Sequence, residues 1–440
     1  MEKFDVIVIG SGVGGMACAN PLQNAGKKVA VVEMDLWGGT CPNRGCDPKK
    51  VLIGAVEAKT QVRQLQGKGF NNQPKIDWPQ LMAFKKTFTD PAPESFQRSL
   101  NTAGIETIKG QASFVSQDTL RVGTRQLQAK DIIIATGQRP SLPEIPGAEL
   151  LHTSTDFLSL STLPHEMIFL GAGYITFELA TIAAACGSQV TIIHHNNRPL
   201  KAFDEMLVQE MTTQMTAKGI KFEWDTEITA ALTDDNNRVQ LRTDDEKSYT
   251  ADYVVAATGR IPNIEGLSLE KVGVAVNRGG IAVDEFLQTN VSHIYACGDV
   301  VAKRRPKLTP VATFEGSYVA SRILGETAAI NYPLIPTIVY GSPKLAETGQ
   351  TIANPDAGET ETVMDLTQWF TYRRVNEDIA KVKLVKNTEG MLIGASVLSE
   401  RADDMINYLT FCIQQKLTTE DLTKMIMGYP TLASDLSYLV

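Results

Sequence analysis

The chain has 440 residues, 43% of them hydrophobic, 21% charged and 34 of them Gly, with a formal net charge of −8. At roughly 100 to 200 residues per domain this is two to four domains with real cores, and 50 acids against 42 Lys and Arg, with no basic run, exclude a nucleic-acid or polybasic membrane partner. No stretch approaches the ~18 consecutive apolar residues of a membrane span, and an apolar run starts at Phe4, which leaves no room for a signal peptide, so the expected location is cytoplasmic.

Phe4 to Ile9 reads as a buried strand, followed by Gly10-Ser11-Gly12-Val13-Gly14-Gly15, an apolar helix to Gly26 and a second strand ending at Glu33. Gly10 suits a tight turn, Gly12 a close backbone approach to a pyrophosphate at the helix N-terminus, and Gly15 helix-to-strand packing. Glu33 then sits where a carboxylate accepts from a ribose hydroxyl. Next comes Gly38-Gly39-Thr40-Cys41-Pro42-Asn43-Arg44-Gly45-Cys46-Asp47-Pro48-Lys49-Lys50, two Cys five residues apart before a helix with Asp47 as its expected cap and Pro48 in its first turn. A helix N-terminus and adjacent Lys stabilise a thiolate, as thiol-disulfide exchange requires; half a metal site or two inert thiols are the other readings. The remaining Cys are scattered and no His flanks the pair, so no closed metal site is expected, and Cys18, Cys186, Cys297 and Cys412 read as small core residues.

The opening pattern returns 161 residues on: Met167 to Leu170, Gly171-Ala172-Gly173-Tyr174-Ile175-Thr176, a helix to about Ala185 and a strand from Gln189 to Ile193. Gly10 to Glu33 and Gly171 to His194 both span 23 positions, so two nucleotide-binding units are expected. In the second, Thr176 replaces the third Gly and His194 replaces the ribose carboxylate. His195, Arg198 and Lys201 follow, cationic partners for a 2′-phosphate or an ordinary polar loop. A further echo runs from Asp131 to Thr136-Gly137 and from Asp252 to Gly259, with Pro140 and Pro262 after them as expected crossings between domains. Asp234 to Asn237 reads as a hairpin loop. Beyond residue 330, β-branched runs (Thr337 to Tyr340, Ile379 to Val385) and an amphipathic helix from Arg401 to Gln415 indicate a mixed α+β domain.

The Gly-Gly-Thr-Cys-x4-Cys-x-Pro-Lys-Lys segment, the two nucleotide units, the stretch from Thr289 to Asp299 and Leu308-Thr309-Pro310-Val311-Ala312 together resemble the FAD-dependent pyridine-nucleotide disulfide oxidoreductases, over the whole length. The resemblance implies an α/β fold with Rossmann-like FAD and NAD(P) domains and a C-terminal α+β dimerisation domain. The expected segments are 1–143 and 263–330 for FAD, 144–262 for NAD(P) and 331–440 for a homodimer interface. It also implies electron flow from NAD(P)H through FAD to a Cys41–Cys46 disulfide, Cys46 facing the flavin and Cys41 attacking the substrate; the residues from His194 to Lys201 make NADPH the expected donor rather than NADH. Asp299 would bind the ribitol chain, Tyr174 would cover the flavin, and Lys49 or Lys50 would sit by the flavin, ion-paired with Glu178; from the sequence alone Glu178 is a helix-surface carboxylate. Thr40, Thr136, Gly137, Gly259, Gly298, Thr309 and Pro310 complete the implied cofactor contacts.

The sequence departs from that pattern at the acid-base pair. Where glutathione reductases and dihydrolipoamide dehydrogenases have His-Pro-Thr and a Glu five positions after the His, this chain has Tyr429-Pro430-Thr431 and Ser434, and all five His lie at or before residue 293. Asn20 and Ser317 replace two Arg that hold glutathione, and the extra C-terminal Cys pair of mercuric reductases has no counterpart, Cys412 being the last Cys. The substrate is therefore read as a small disulfide or related acceptor. A metal ion or quinone is the alternative, soft thiolates suiting soft metal ions. A redox-sensing flavoprotein with incidental turnover is another.

Overall fold

The computed structural model describes residues 1–440, which divide into two compact units. The first comprises Met1–Lys49, Phe84–Ser141 and Arg260–Asn331; the second comprises Lys50–Ala83, Leu142–Gly259 and Tyr332–Val440.

In the first unit, the strand Glu2–Ile9 lies at the centre of a sheet, pairing in parallel with Val29–Glu33 on one side and Arg125–Ile134 on the other, Ile7 opposite Ala30 and Ile132. Every residue from Val6 to Ile9 is buried, which is why this run is unbroken β-branched sequence rather than alternating. Ile294–Ala296 joins the sheet in parallel beside Arg125–Ile134. The helices Val13–Asn24 and Thr309–Ile323 pack through glycine: a Cβ on Gly316 would lie 2.1 Å from the Gly14 carbonyl oxygen, so only glycine allows the approach. The two Pro segments that the sequence marks as crossings are short strands, Gln138–Pro140 and Arg260–Pro262, paired antiparallel with each other.

The second unit repeats the parallel motif in the order Lys221–Glu223, Gln189–Ile193, Glu166–Leu170, Tyr253–Ala256. Asp234 to Asn237 turns between the strands Ile228–Thr233 and Val239–Thr243. A five-stranded antiparallel sheet follows, in the order Thr337–Val339, Lys344–Gly349, Leu392–Ser399, Ala380–Lys386, Thr360–Asp365. The helix Ala402–Gln415 covers this sheet, burying Met405, Ile406 and Leu409. A buried ionic cluster ties the nucleotide motif to the sheet. Lys383 Nζ lies 2.6 Å from Asp204 Oδ2 and 2.8 Å from Glu361 Oε2, while Glu347 accepts the backbone N–H of Asp204. Asp204 also caps the helix Glu205–Ala217, accepting from Leu207 N at 3.0 Å. No helix is long and apolar enough to cross a membrane.

Candidate active site

Both Gly-rich turns are shaped for a dinucleotide. At Gly10, φ is +108° and a Cβ would stand 2.4 Å from the Ala135 carbonyl oxygen; at Gly171, φ is +97° and a Cβ would stand 2.7 Å from that of Ala257. A Cβ on Gly12 or Gly173 would instead meet nothing within 4 Å, and neither helix has a side-chain cap. Each helix start therefore presents its first N–H groups to open space, the surface a pyrophosphate takes up. The units differ at the third position. A Cβ on Gly15 would lie 2.0 Å from the Gly10 carbonyl oxygen, whereas Thr176 fits there fully buried with a hydroxyl that finds no partner.

Glu33 ends the second strand of the first unit, buried, with one oxygen accepting Ser11 N at 2.9 Å and Ser11 Oγ at 2.7 Å and the other accepting Asp35 N at 2.8 Å. These bonds fix the carboxylate beside the turn and leave its second oxygen one acceptor site for a ribose hydroxyl. Gly298 and Asp299 form a short 3₁₀ turn after Ile294–Ala296. Glu315, 2% exposed and absent from the sequence reading, holds that turn: it accepts Gly298 N at 2.8 Å and pairs with Lys303 Nζ at 2.8 Å. Burial raises the Asp299 carboxyl above its ordinary range, against the nearby Arg260 and Lys307. Thr136 is tied in by its hydroxyl, which donates to Asn263 O at 2.6 Å, and Gly137 and Gly259 take positive φ. The residues present thus fit FAD in the first unit: an open phosphate cradle, a placed ribose acceptor and a carboxylate on a held turn.

In the second unit, His194 is partly buried and its pKa is lowered to about 4 by burial and then by His195, so it is neutral at pH 7. Arg198 is engaged within its own loop. Its guanidinium donates to Pro199 O at 3.1 Å and Phe203 O at 2.8 Å, closing its own loop, and Glu205 lies 3.6 Å away. Lys201 is the exposed cationic candidate, and His195 is exposed near it.

The two Cys are free thiols on consecutive helices, Cys41 in Thr40–Arg44 and Cys46 as the first residue of Cys46–Gln64. Asp47 is thus the second helical residue and not the cap expected from the sequence, since the helix begins two positions earlier than that cap would set, at the end of the tight Gly45 turn. Thr309, the first residue of its own helix, places Oγ1 3.5 Å from Sγ of each Cys, and Pro310 follows it there. The Cys41 thiol is pushed well up, first by its hydrogen bond with Cys46, then by burial, with Thr309 opposing. Cys41 also donates to Asp47 Oδ1 at 3.7 Å.

Glu178, read from the sequence as a helix-surface carboxylate, is 1% exposed and accepts Tyr340 N at 2.9 Å. The helix Tyr174–Cys186 is apolar on all sides, so no face of it is the wet one. Lys50 Nζ stands 4.6 Å from the centre of the Tyr340 ring, a cation–π contact. Tyr174 is 41% exposed at the start of the Glu178 helix. Tyr429 is 72% exposed and stacks on Phe370, ring centres 5.9 Å apart at 13°. No cluster of three or more His, Cys, Asp or Glu is arranged to hold a metal ion.

Paired nucleotide motifs and a dithiol beside one of them define a flavin-linked pyridine-nucleotide oxidoreductase. Residues 4–316 match the pyridine nucleotide-disulphide oxidoreductase model and residues 335–439 match that family's dimerisation domain, and the chain belongs to this family. It is 32% identical to a glutathione reductase of Nostoc sp., covering 98% of each chain. It is 31% identical to a dihydrolipoyl dehydrogenase of Bacillus subtilis, over 98% of this chain and 94% of that one. Among solved structures, the Cu(II) complex of a Cys-to-Ser mutant of RclA, the HOCl-induced flavoprotein disulfide reductase of Escherichia coli, superposes with a TM-score of 0.89 at 26% identity, covering 100% of this chain and 99% of that one.

Proposed function

We propose that this protein is an FAD-dependent reductase that takes two electrons from NADPH and delivers them, through the Cys41–Cys46 pair, to a small disulfide. The observation that carries the reading is the pair itself: two thiols within reach of one Thr309 hydroxyl, in the same compact unit as the Gly10–Gly12–Gly15 cradle. FAD, when bound, would supply two-electron exchange between the nicotinamide and the dithiol. Gly10, Gly12, Gly15, Thr40, Glu33 and Asp299 would hold it, with Thr309 and Pro310 at the dithiol end. Gly171, Gly173 and Tyr174 would receive the nicotinamide coenzyme. Cys46, at the start of a 19-residue helix, gains thiolate stabilisation from the helix N-terminus, and Cys41 is the thiol left to meet substrate. Lys50 stands against Tyr340, and Lys49 is the lysine proposed for the flavin. Cytoplasmic residence is part of this reading, since a working dithiol needs a reducing compartment.

The test is a steady-state acceptor panel of disulfides, quinones and metal ions, run anaerobically with NADPH and NADH. Turnover of a low-molecular-weight disulfide supports the proposal, and turnover of quinones or metal ions alone sinks it. NADPH is expected to exceed NADH in kcat/KM by roughly 10-fold, the worth of one charge-assisted contact from Lys201 without an opposing carboxylate at position 194. Equal or better kcat/KM with NADH defeats the coenzyme assignment.

A second reading, a reductase of Cu(II) or of a soft metal ion, is favoured by Tyr429 in place of an acid-base His and by the likeness to RclA, for which a Cu(II) complex of a Cys-to-Ser mutant is among the solved structures. A homodimer accompanies either reading. Phe370, Ile426 and Tyr429 of the dimerisation segment are more than half exposed in the single chain, apolar surface that a second copy would cover. Sedimentation is expected to give twice the chain mass of 48.0 kDa, and an active monomer at assay concentration contradicts it.

A further inference from the structure

Resting on the disulfide-reductase reading, we propose that Asp47 is a catalytic residue, the group that takes the proton from Cys41 as its sulfur attacks and returns it to the departing thiolate. Thiol-disulfide exchange consumes a thiolate and releases one, so a site that attacks with a protonated thiol needs a proton acceptor within reach. Cys41 is such a thiol, since Cys46 and burial hold its proton in place. The groups facing it are few: Cys46 and Asp47 on the long helix, and the Thr309 hydroxyl. No His touches it, and Arg44 on its own short helix is paired with Asp35. Thr309 donates its hydroxyl hydrogen to Cys41, and an alcohol oxygen is too weakly basic to take the proton at neutral pH. The single S–H proton of Cys41 therefore has two acceptors, Cys46 and the carboxylate of Asp47 at 3.7 Å. Asp47 is exposed, so a proton placed on it is on the side open to solvent and to an arriving substrate.

The step balances without a further reagent. Sγ of Cys41 attacks one sulfur of the substrate disulfide, the substrate S–S bond breaks, and its electron pair leaves on the second sulfur. Asp47 receives the Cys41 proton and passes it to that sulfur, giving one thiol. Cys46, as the thiolate, then attacks Sγ of Cys41 in the mixed disulfide, the bond from Cys41 to the substrate half breaks, and the second substrate sulfur leaves with the electron pair and takes a proton from solvent. The dithiol ends oxidised, and one disulfide has become two thiols.

The experiment compares wild type with Asp47→Asn and Asp47→Glu as FAD-loaded holoprotein. Flavin content and thermal melting serve as fold controls. Two readouts are taken between pH 5 and 10: kcat/KM for disulfide reduction, and the rate at which iodoacetamide labels Cys41 in the reduced protein, located by peptide mass spectrometry. Removing the negative charge lets the Cys41 thiolate form at lower pH. Labelling by Asp47→Asn should therefore accelerate roughly threefold at pH 7 for each unit by which the midpoint falls, the gain in thiolate being partly offset by its lower nucleophilicity. Disulfide reduction should fall about 10- to 100-fold, the scale of lost proton transfer, and Asp47→Glu should recover most of it. Opposite movement of the two readouts is the signature, because mere disruption of the turn would slow turnover without making the thiolate easier to form. Faster labelling with unchanged or faster reduction overturns the proposal, leaving Asp47 an electrostatic brake, and no change in either readout overturns it outright. Should wild type reduce no disulfide, the functional reading falls and takes the catalytic assignment with it. The labelling arm identifies that case, since a shifted midpoint would remain.

Discussion

Replacing either Cys41 or Cys46 by Ser is expected to lower kcat/KM for disulfide reduction by at least about 1,000-fold, while oxidation of NADPH by a small one-electron dye persists. Exchange needs a thiolate as nucleophile and a second thiol to resolve the mixed disulfide, and a serine hydroxyl supplies neither near pH 7. The geometry makes the pair interdependent, for both sulfurs lie 3.5 Å from Thr309 Oγ1. Rapid-mixing and steady-state assays on the two Ser variants check this. A variant that keeps more than about a tenth of wild-type disulfide turnover shows that electrons reach the substrate without the pair. If Cys41→Ser were inert toward disulfides yet still reduced Cu(II), the metal-ion reading would gain the primary place.

Lys383→Ala should destabilise the fold by about 3 to 5 kcal/mol, the cost of leaving a buried charge without its partner. The Lys383 and Asp204 side chains are 8% and 5% exposed, and the pair sits beside Glu347, so removing the ammonium strands carboxylates in an apolar setting. Burial raises the Glu347 pKa from 4.5 to about 7. A carboxyl with a raised native pKa binds more protons folded than unfolded, so its stabilisation is complete below about pH 4.5 and is lost as pH rises to about 7. Denaturant melts across that window should therefore show a downward contribution with pH that Glu347→Gln removes. A Lys383→Ala loss under 1 kcal/mol, or an unchanged slope in Glu347→Gln, contradicts this account.

The strands and glycine turns were legible because their signals are local. Gln189–Ile193 and the 23-residue spacing follow from side-chain period and chain geometry alone, and Gly10 and Gly171 carry the positive φ that their turns require. Contacts made across the sequence were not. Glu178 looks like any helical carboxylate until Tyr340, 162 positions away, turns out to donate to it. Glu315 and Lys383 gave no signal, because their partners Gly298 and Asp204 are set by packing and by no spacing. Arg198 stayed ambiguous because a cation after a strand end is equally suited to a phosphate or to the loop carbonyls it bonds here. Asp47 was in plain view, and a carboxylate next to a redox Cys was the clue, but its reading as a helix cap absorbed it.

The strand Ile294–Ala296 completes the sheet of the first unit beside Arg125–Ile134, which leaves the ribosome roughly 160 residues earlier. At about 5 to 20 residues per second, that interval is on the order of 10 to 30 s. During it the nascent chain already carries Cys41, Cys46 and the Gly10 turn, while Thr309, whose hydroxyl lies 3.5 Å from both sulfurs, and the proposed flavin contact Asp299 do not yet exist. A flavin offered to the growing chain meets half a site, and the two thiols spend those seconds uncovered. If the proposed flavin contacts hold, loading with cofactor follows synthesis of the whole first unit, and oxidants present in that interval reach the cysteines before any electron supply does.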